Sequence, residues 1–210
     1  MKKMSRILVI GNGETPSKNF LMHQARQADC ILATDGGANR ALACGVIPQV
    51  VIGDFDSLSA KTKKALKETS FIFVDNQNNT DLEKALDYLT QKGFSSTTLV
   101  GFLGGRWDFS IGNCLSVYPY LNKTEICFCA EKWRIYPLRK GRKFTCSAKK
   151  RVSLIPLSPC KSLTITGLKY PLKGVNLSRT RAGLTLSNET VGTAFEVQFE
   201  RGFLLVYQEI

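Results

Sequence analysis

The sequence predicts an α/β fold: a mostly parallel, helix-covered sheet followed by a smaller antiparallel β-sandwich. Three observations carry this. Up to about residue 121, short apolar runs alternate with helical patterns across short connections, as in repeated strand–helix units. From residue 122 the helical patterns stop, and short strand candidates follow one another with turn signals between them. The charge changes at the same place. Residues 1–121 carry 13 Lys/Arg against 11 Asp/Glu, and residues 122–210 carry 16 against 6. All eight Asp lie in the first part. The expected domains are therefore 1–121 and 122–210.

Taken in order, Ile7 to Ile10 is an apolar run closed by Gly11-Asn12-Gly13, which reads as a strand ending in a turn. Cys30 to Thr34 reads as a second strand, with a short helix over 38–44 closed by Gly45. Val50 to Ile52 forms a third strand ending at Gly53, and the Lys-rich stretch Ser59–Glu68 is helical. Phe71 to Val74 is a fourth strand. The apolar residues of 7–10 and 50–52 do not alternate with polar ones, as expected of strands buried on both faces.

Residues 80–92 give the strongest helix pattern. Thr80 and Glu83 form a capping box. Leu82, Ala85, Leu86 and Leu89 recur at i, i+3, i+4 and i+7 on one face. Thr97 to Val100 is a fifth strand, and 107–117 a further helix ending near Pro119. Beyond it, strand candidates are Thr124–Ala130, Arg151–Pro156, Leu163–Thr166, Gly183–Ser187, Ala194–Phe199 and Phe203–Gln208. Arg139–Lys143 reads as a charged loop or hairpin, and no helix is expected in this half.

Composition excludes several classes. With 210 residues, 43% hydrophobic and 22% charged, the chain is neither disordered nor fibrous, and it can bury a core without disulfide staples. No apolar run approaches the ~18 residues of a membrane span. The seven Cys form no CxxC pair, and Cys127 and Cys129 share one side of an expected strand, which favours buried reduced thiols over a zinc site. Met1 to Arg6 is basic, but the apolar run after it is too short for a secretory signal, so the cytoplasm is the expected compartment. The formal charge is +12, and its basic second half suits nucleic acid, anionic lipid, a polyphosphate ligand or simply a solvated basic surface.

Acids follow the strand ends of the first half: Asp35 after strand two, Asp54 and Asp56 after strand three, Asp81 after strand four, Asp108 after strand five. Ligands of open parallel sheets bind at the carboxyl ends of the strands. Five carboxylates gathered there need a cation, and hard oxygen donors without His or Cys point to Mg²⁺. Taken singly, Asp81 could complement a helix dipole and Asp54 could shape a turn. Gly36-Gly37 and Gly104-Gly105 would let backbone N–H groups approach a phosphate, and Arg106 can bind one bidentately. No Walker or GxGxxG pattern is present, and the lone His23 lies among unremarkable neighbours.

These segments resemble one family. Asp35-Gly36-Gly37-Ala38-Asn39-Arg40, Gly53-Asp54-Phe55-Asp56-Ser57, Gln77-Asn78-Asn79-Thr80-Asp81 and Gly104-Gly105-Arg106-Trp107-Asp108 are similar to the successive motifs of thiamine pyrophosphokinases. Gly167-Leu168-Lys169-Tyr170-Pro171-Leu172 and Ser187-Asn188-Glu189 are similar to the signatures of that family's β domain. The resemblance runs from about residue 7 to residue 206. One position departs: Phe109 stands where bacterial members commonly have His.

The resemblance implies transfer of pyrophosphate from ATP to the hydroxyl of thiamine, releasing AMP. It implies Mg²⁺ on Asp54, Asp56 and Asp81, with Asp54, Asp81 and Arg106 in the chemistry. Asp35, Gln77, Thr80, Asp108, Ser187 and Asn188 are then expected at the substrates. It also implies a homodimer with sites shared between the α/β domain of one subunit and the β domain of the other. Two alternatives stay open. One is a nucleic-acid-binding protein that uses the basic second half, with Trp133, Tyr136 and Phe144 among its Lys and Arg. The other is a pyrophosphokinase acting on another alcohol.

Overall fold

The computed structural model describes residues 6–14 and 16–210. The basic start at Met1–Ser5 lies outside them. The chain divides into two compact units, up to Glu131 and from Lys132 to Ile210.

The first unit opens with β1 (Arg6–Ile10), α1 (Lys18–Gln27), β2 (Cys30–Thr34), α2 (Asp35–Ala43), β3 (Val50–Gly53) and α3 (Ala60–Ala65). It continues through β4 (Ser70–Phe73), α4 (Asp81–Gln91), β5 (Ser96–Val100), α5 (Trp107–Ser116) and β6 (Glu125–Ala130). Its strands lie in the order β6-β5-β1-β2-β3-β4, and every pair is parallel. One face carries a core in which Leu21 of α1 and Ala38 and Ala41 of α2 pack with Leu8, Ile10, Ala33 and Val51. The alternate strand residues Ile7, Val9, Leu32 and Ile52 point the other way and are equally buried. Leu82, Ala85, Leu86 and Leu89 of α4 are buried, and the helix packs against β2 and β3. Each such leucine contributes about 1.5–3 kcal/mol by leaving water.

Ser17, Thr34, Ser59 and Thr80 cap α1 to α4, each accepting an N–H from the first turn, whereas α5 has no side-chain cap. The Thr80–Glu83 capping box forms as expected. Cys127 and Cys129 both pack on the first-unit core, and no disulfide joins any of the seven cysteines, all of which lie among the described residues.

The second unit holds two four-stranded antiparallel sheets. In one, β12 (Asn188–Glu189), β9 (Arg151–Pro156), β14 (Leu204–Glu209) and β7 (Trp133–Leu138) pair in that order. In the other the order is β11 (Leu172–Leu177), β10 (Cys160–Thr166), β13 (Ala194–Gln198) and β8 (Arg142–Thr145). Inward residues of both make one core, including Val152, Leu154, Leu204 and Val206 from the first sheet and Phe144, Ile165, Phe195 and Val197 from the second. Phe144 and Phe195 stack at 4.7 Å between centroids.

Three expectations change. The strand 125–130, read as the opening of the second half, pairs parallel to β5 and belongs to the first unit instead, so that unit runs to Glu131 rather than residue 121. Gly183–Ser187 is not a strand; Arg179–Thr185 forms short 3₁₀ turns that meet at a kink at Arg181. Arg139–Lys143 is part turn and part β8. Among the described residues, no helix is long and apolar enough to cross a membrane.

Candidate active site

Asp35 is the first residue of α2, directly after the buried end of β2, and only 1% of it is exposed. Its Oδ1 accepts the Gly36 N–H at 2.6 Å and its Oδ2 accepts the Ser57 N–H at 3.3 Å. The adjoining glycines serve packing. A Cβ on Gly37 would lie 2.0 Å from the Ile10 carbonyl oxygen, and one on Gly36 2.2 Å from the Asn12 amide. The Gly37 N–H goes to Thr34 Oγ1. The two N–H groups expected to face a phosphate are therefore both held within the protein.

Asp54 and Asp56 flank Phe55, which has φ of +65°, a left-handed conformation that costs a non-glycine residue about 1 kcal/mol or more. The Phe55 ring packs edge-on to Phe71 at 5.8 Å and against Phe73 at 5.9 Å. That anchor fixes the turn. The Asp56 N–H donates to Asp54 Oδ1, and Ser57 Oγ donates to Asp56 Oδ1 at 2.9 Å. Carboxylate oxygens of Asp35, Asp54 and Asp56 all come within 4.8 Å of one another.

Asp81 begins α4. Lys84, one turn on, reaches back with its side chain 3% exposed, placing Nζ 2.9 Å from Asp54 Oδ2 and 3.6 Å from Asp81 Oδ1. The Lys84 hydrogen bond holds the Asp54 carboxyl below the usual carboxylate range. Burial pushes Asp81 up, the charge of Asp35 adds to this, and Lys84 opposes it. Burial also raises Asp35, against its two backbone hydrogen bonds, with the charges of Asp54 and Asp56 adding to the rise. Burial alone would lower Lys84, but the two acids keep it above its ordinary value.

The segment before α4 is tied down through Asn79, whose amide donates to Asp87 Oδ2 at 3.1 Å, while Tyr120 Oη donates to Asp87 Oδ1 at 2.9 Å. Thr80 is engaged by its cap: Oγ1 lies 2.9 Å from Glu83 Oε2 and accepts the Glu83 N–H. Gln77 is exposed on the same segment.

Arg106 and Asp108 pair with each other at the start of α5, Nε to Oδ1 at 3.2 Å with a second contact from Nη2 to Oδ2, and both are exposed. The guanidinium lies 4.3 Å from the Phe109 ring centroid, a cation–π contact. Phe109 thus carries the Arg106 guanidinium on its ring. The Gly104 N–H donates to Ser110 Oγ at 3.0 Å.

In the second unit, the two signature segments form one structure. Lys169 N–H donates to the Glu189 carbonyl, and Leu168 bridges Thr190. Asn188 is buried, and its amide is engaged on both sides by the Tyr170 backbone. Its place is structural. Ser187 is exposed, in a left-handed conformation with φ of +56°, and its N–H donates to Ser153 Oγ at 2.9 Å. Ser187 thus sits exposed on a strained turn, next to exposed Leu186.

The close group is thus Asp35, Asp54 and Asp56, where the residues were expected to gather as Asp54, Asp56 and Asp81. Asp81 joins through Lys84. Sequence reasoning passed over Lys84, Asp87 and Tyr120. An acid–lysine pair at i, i+3 beside the apolar stripe of α4 was the available signal for Lys84.

Two family models match the chain. That for the thiamin pyrophosphokinase catalytic domain covers residues 21–128, and that for the thiamin pyrophosphokinase vitamin B1 binding domain covers residues 139–204. The chain belongs to the thiamine pyrophosphokinase family. The thiamine pyrophosphokinase of Bacillus subtilis (strain 168) is 26% identical over 182 residues, 83% of this chain and 85% of that protein. Thiamine pyrophosphokinase 1 of Oryza sativa subsp. japonica is 28% identical over 189 residues, 76% of this chain and 70% of that protein. The crystal structure of thiamin pyrophosphokinase from Geobacillus thermodenitrificans has a TM-score of 0.83 at 25% identity, covering 98% of this chain and 97% of that one. In thiamine pyrophosphokinase terms, the catalytic-domain match includes Asp35, Asp54, Asp56, Asp81, Arg106 and Asp108. The vitamin B1 binding match includes Ser187 and Asn188. None of these comparisons supports the nucleic-acid reading or another alcohol substrate.

Proposed function

We propose that the chain transfers the pyrophosphoryl group of ATP to the hydroxyl of thiamine, giving thiamine diphosphate and AMP. The observation that carries this reading, beside family membership, is the gathering of Asp35, Asp54 and Asp56 within 4.8 Å, linked through Lys84 to Asp81. Three carboxylates without His or Cys fit Mg²⁺, and the raised Asp35 is a charge that a cation would relieve. Asp54 and Asp56 would hold the ion, with Asp35 and Asp81 on either side. A bound Mg²⁺ there supplies charge neutralisation to phosphate oxygens.

In the transfer, the thiamine hydroxyl oxygen bonds to the β-phosphorus, the bridge from Pα to Pβ breaks, and AMP leaves. The protein's part is positioning and charge. Asp81 is the proton acceptor. Its carboxyl is raised by burial and is partly exposed. Asp54 is a weaker base because Lys84 depresses it, and Asp35 is buried with both oxygens engaged. Arg106 exchanges Asp108 for a phosphate, and the released Asp108 favours the thiamine cation. Gln77 lies on the exposed segment leading to Asp81, and Thr80 orders that segment through its cap. The Ser187 hydroxyl reads the pyrimidine, on a turn held by Asn188.

The ligand motifs are split between two units of one short chain, which favours a homodimer with shared sites. The cytoplasm, where ATP is abundant, is the compartment. The test is cation dependence. Thiamine-dependent consumption of ATP stops on chelation and returns with Mg²⁺, whereas turnover that persists in excess chelator contradicts the reading.

A further inference from the structure

The Lys84 ammonium is 3% exposed, a placement that only firm partners offset. It also sits in the first turns of α4, where the helix dipole disfavours a cation. Its two contacts, Asp54 Oδ2 at 2.9 Å and Asp81 Oδ1 at 3.6 Å, explain why it is there. Asp54 has a double engagement. One oxygen faces Lys84, and the same carboxylate belongs to the close group with Asp35 and Asp56. A divalent cation on that group therefore shares a carboxylate with a buried ammonium.

We propose that Lys84 is the built-in counter-ion of the site: it neutralises Asp54 and Asp81 when no divalent cation is bound, and it weakens the hold of the acids on that cation. This rests on the reading of those acids as the cation site. Without Lys84, four carboxylates would face one another uncompensated in the empty site. With it, the empty site is stable, and the ion is held loosely enough to leave with the product. Lys84 is a positioning residue, acting through Asp54 and Asp81 and not on substrate.

The test is direct Mn²⁺ binding without nucleotide, followed by the loss of the free-ion paramagnetic resonance signal, in wild type, Lys84→Met and Lys84→Arg. Methionine keeps the unbranched chain up to the ε position and removes the charged ammonium. Lys84→Met should bind Mn²⁺ roughly tenfold more tightly, by loss of a like charge at close range. Lys84→Arg should bind as wild type does. Lys84→Met should also melt lower than wild type in chelator, with the gap closing as Mn²⁺ is added. Equal or weaker Mn²⁺ binding by Lys84→Met overturns the proposal, as does a loss of fold that Mn²⁺ does not restore. So does tighter binding by Lys84→Arg, since charge would then not be the cause. Failure of the underlying reading looks different: neither wild type nor variants would bind Mn²⁺ at all.

Discussion

Asn188 grips Tyr170 by its backbone, accepting the Tyr170 N–H at Oδ1 (3.0 Å) and donating to the Tyr170 carbonyl from Nδ2 (2.8 Å). A buried amide used on both sides holds a loop in register; it has little left to offer a ligand. The neighbouring Ser187 is the opposite case, exposed and strained, with φ of +56°. The two residues of one motif should therefore fail differently.

Asn188→Ala should lower stability by about 1–3 kcal/mol, because the Tyr170 backbone groups lose their partner. Ser187→Ala should leave stability unchanged and raise the KM for thiamine by roughly 2- to 150-fold, the range for one lost hydrogen bond. The KM for ATP should barely move. Denaturant melts and steady-state kinetics with each substrate varied separately read both effects. Equal changes for ATP and thiamine, or none, would make Ser187 a turn residue only.

Asp54→Asn and Asp81→Asn should each reduce turnover by at least ~10²-fold with the fold intact. Asp54→Asn should also change the Mg²⁺ dependence. Near wild-type rates in both variants at saturating Mg²⁺ would remove these residues from the chemistry.

The pH dependence follows from opposite shifts. Asp81 is raised on folding, so its charge destabilises the cation-free protein at neutral pH, and the effect fades as pH falls through its folded value. Asp54 is lowered, so its contribution is present above the ordinary carboxylate value of about 3.9 and is lost only below its depressed folded one. Above that ordinary value, the acids whose effects change as pH falls are the raised ones, Asp81 and Asp35. Any gain in Tm of Asp81→Asn over wild type, measured in chelator, should therefore shrink as pH falls from neutrality toward the ordinary carboxylate value. A gain that grows on acidification would reverse the assigned sign.

Gly37→Ala should destabilise by about 1–3 kcal/mol or more, since its Cβ would lie 2.0 Å from the Ile10 carbonyl oxygen with no flexible side chain to yield. An unchanged Tm would show that α2 can shift away from β1.

The first five strands of the first unit were legible as short runs between turn signals, with β1 and β3 apolar on both faces, and α4 carries both a capping box and a clean stripe. Helix α1 was not. Leu21 is its one fully buried residue, so it has little apolar period to read. Strand β7 was hidden by Arg134 and Pro137 within Trp133–Leu138, yet Pro137 pairs with Leu205 in the sheet. The acids were legible as a set because each follows a strand end. Their grouping was not, since Asp35 comes close through the turn at Phe55 and Asp81 is reached through Lys84, relationships set by tertiary packing.

The central claim is pyrophosphoryl rather than phosphoryl transfer to thiamine. It is tested by incubating the protein with thiamine, ATP and Mg²⁺ and separating the nucleotide and thiamine products by chromatography. The account predicts AMP and thiamine diphosphate in equal amounts, both dependent on thiamine. ADP with thiamine monophosphate, or nucleotide turnover that ignores thiamine, would contradict it.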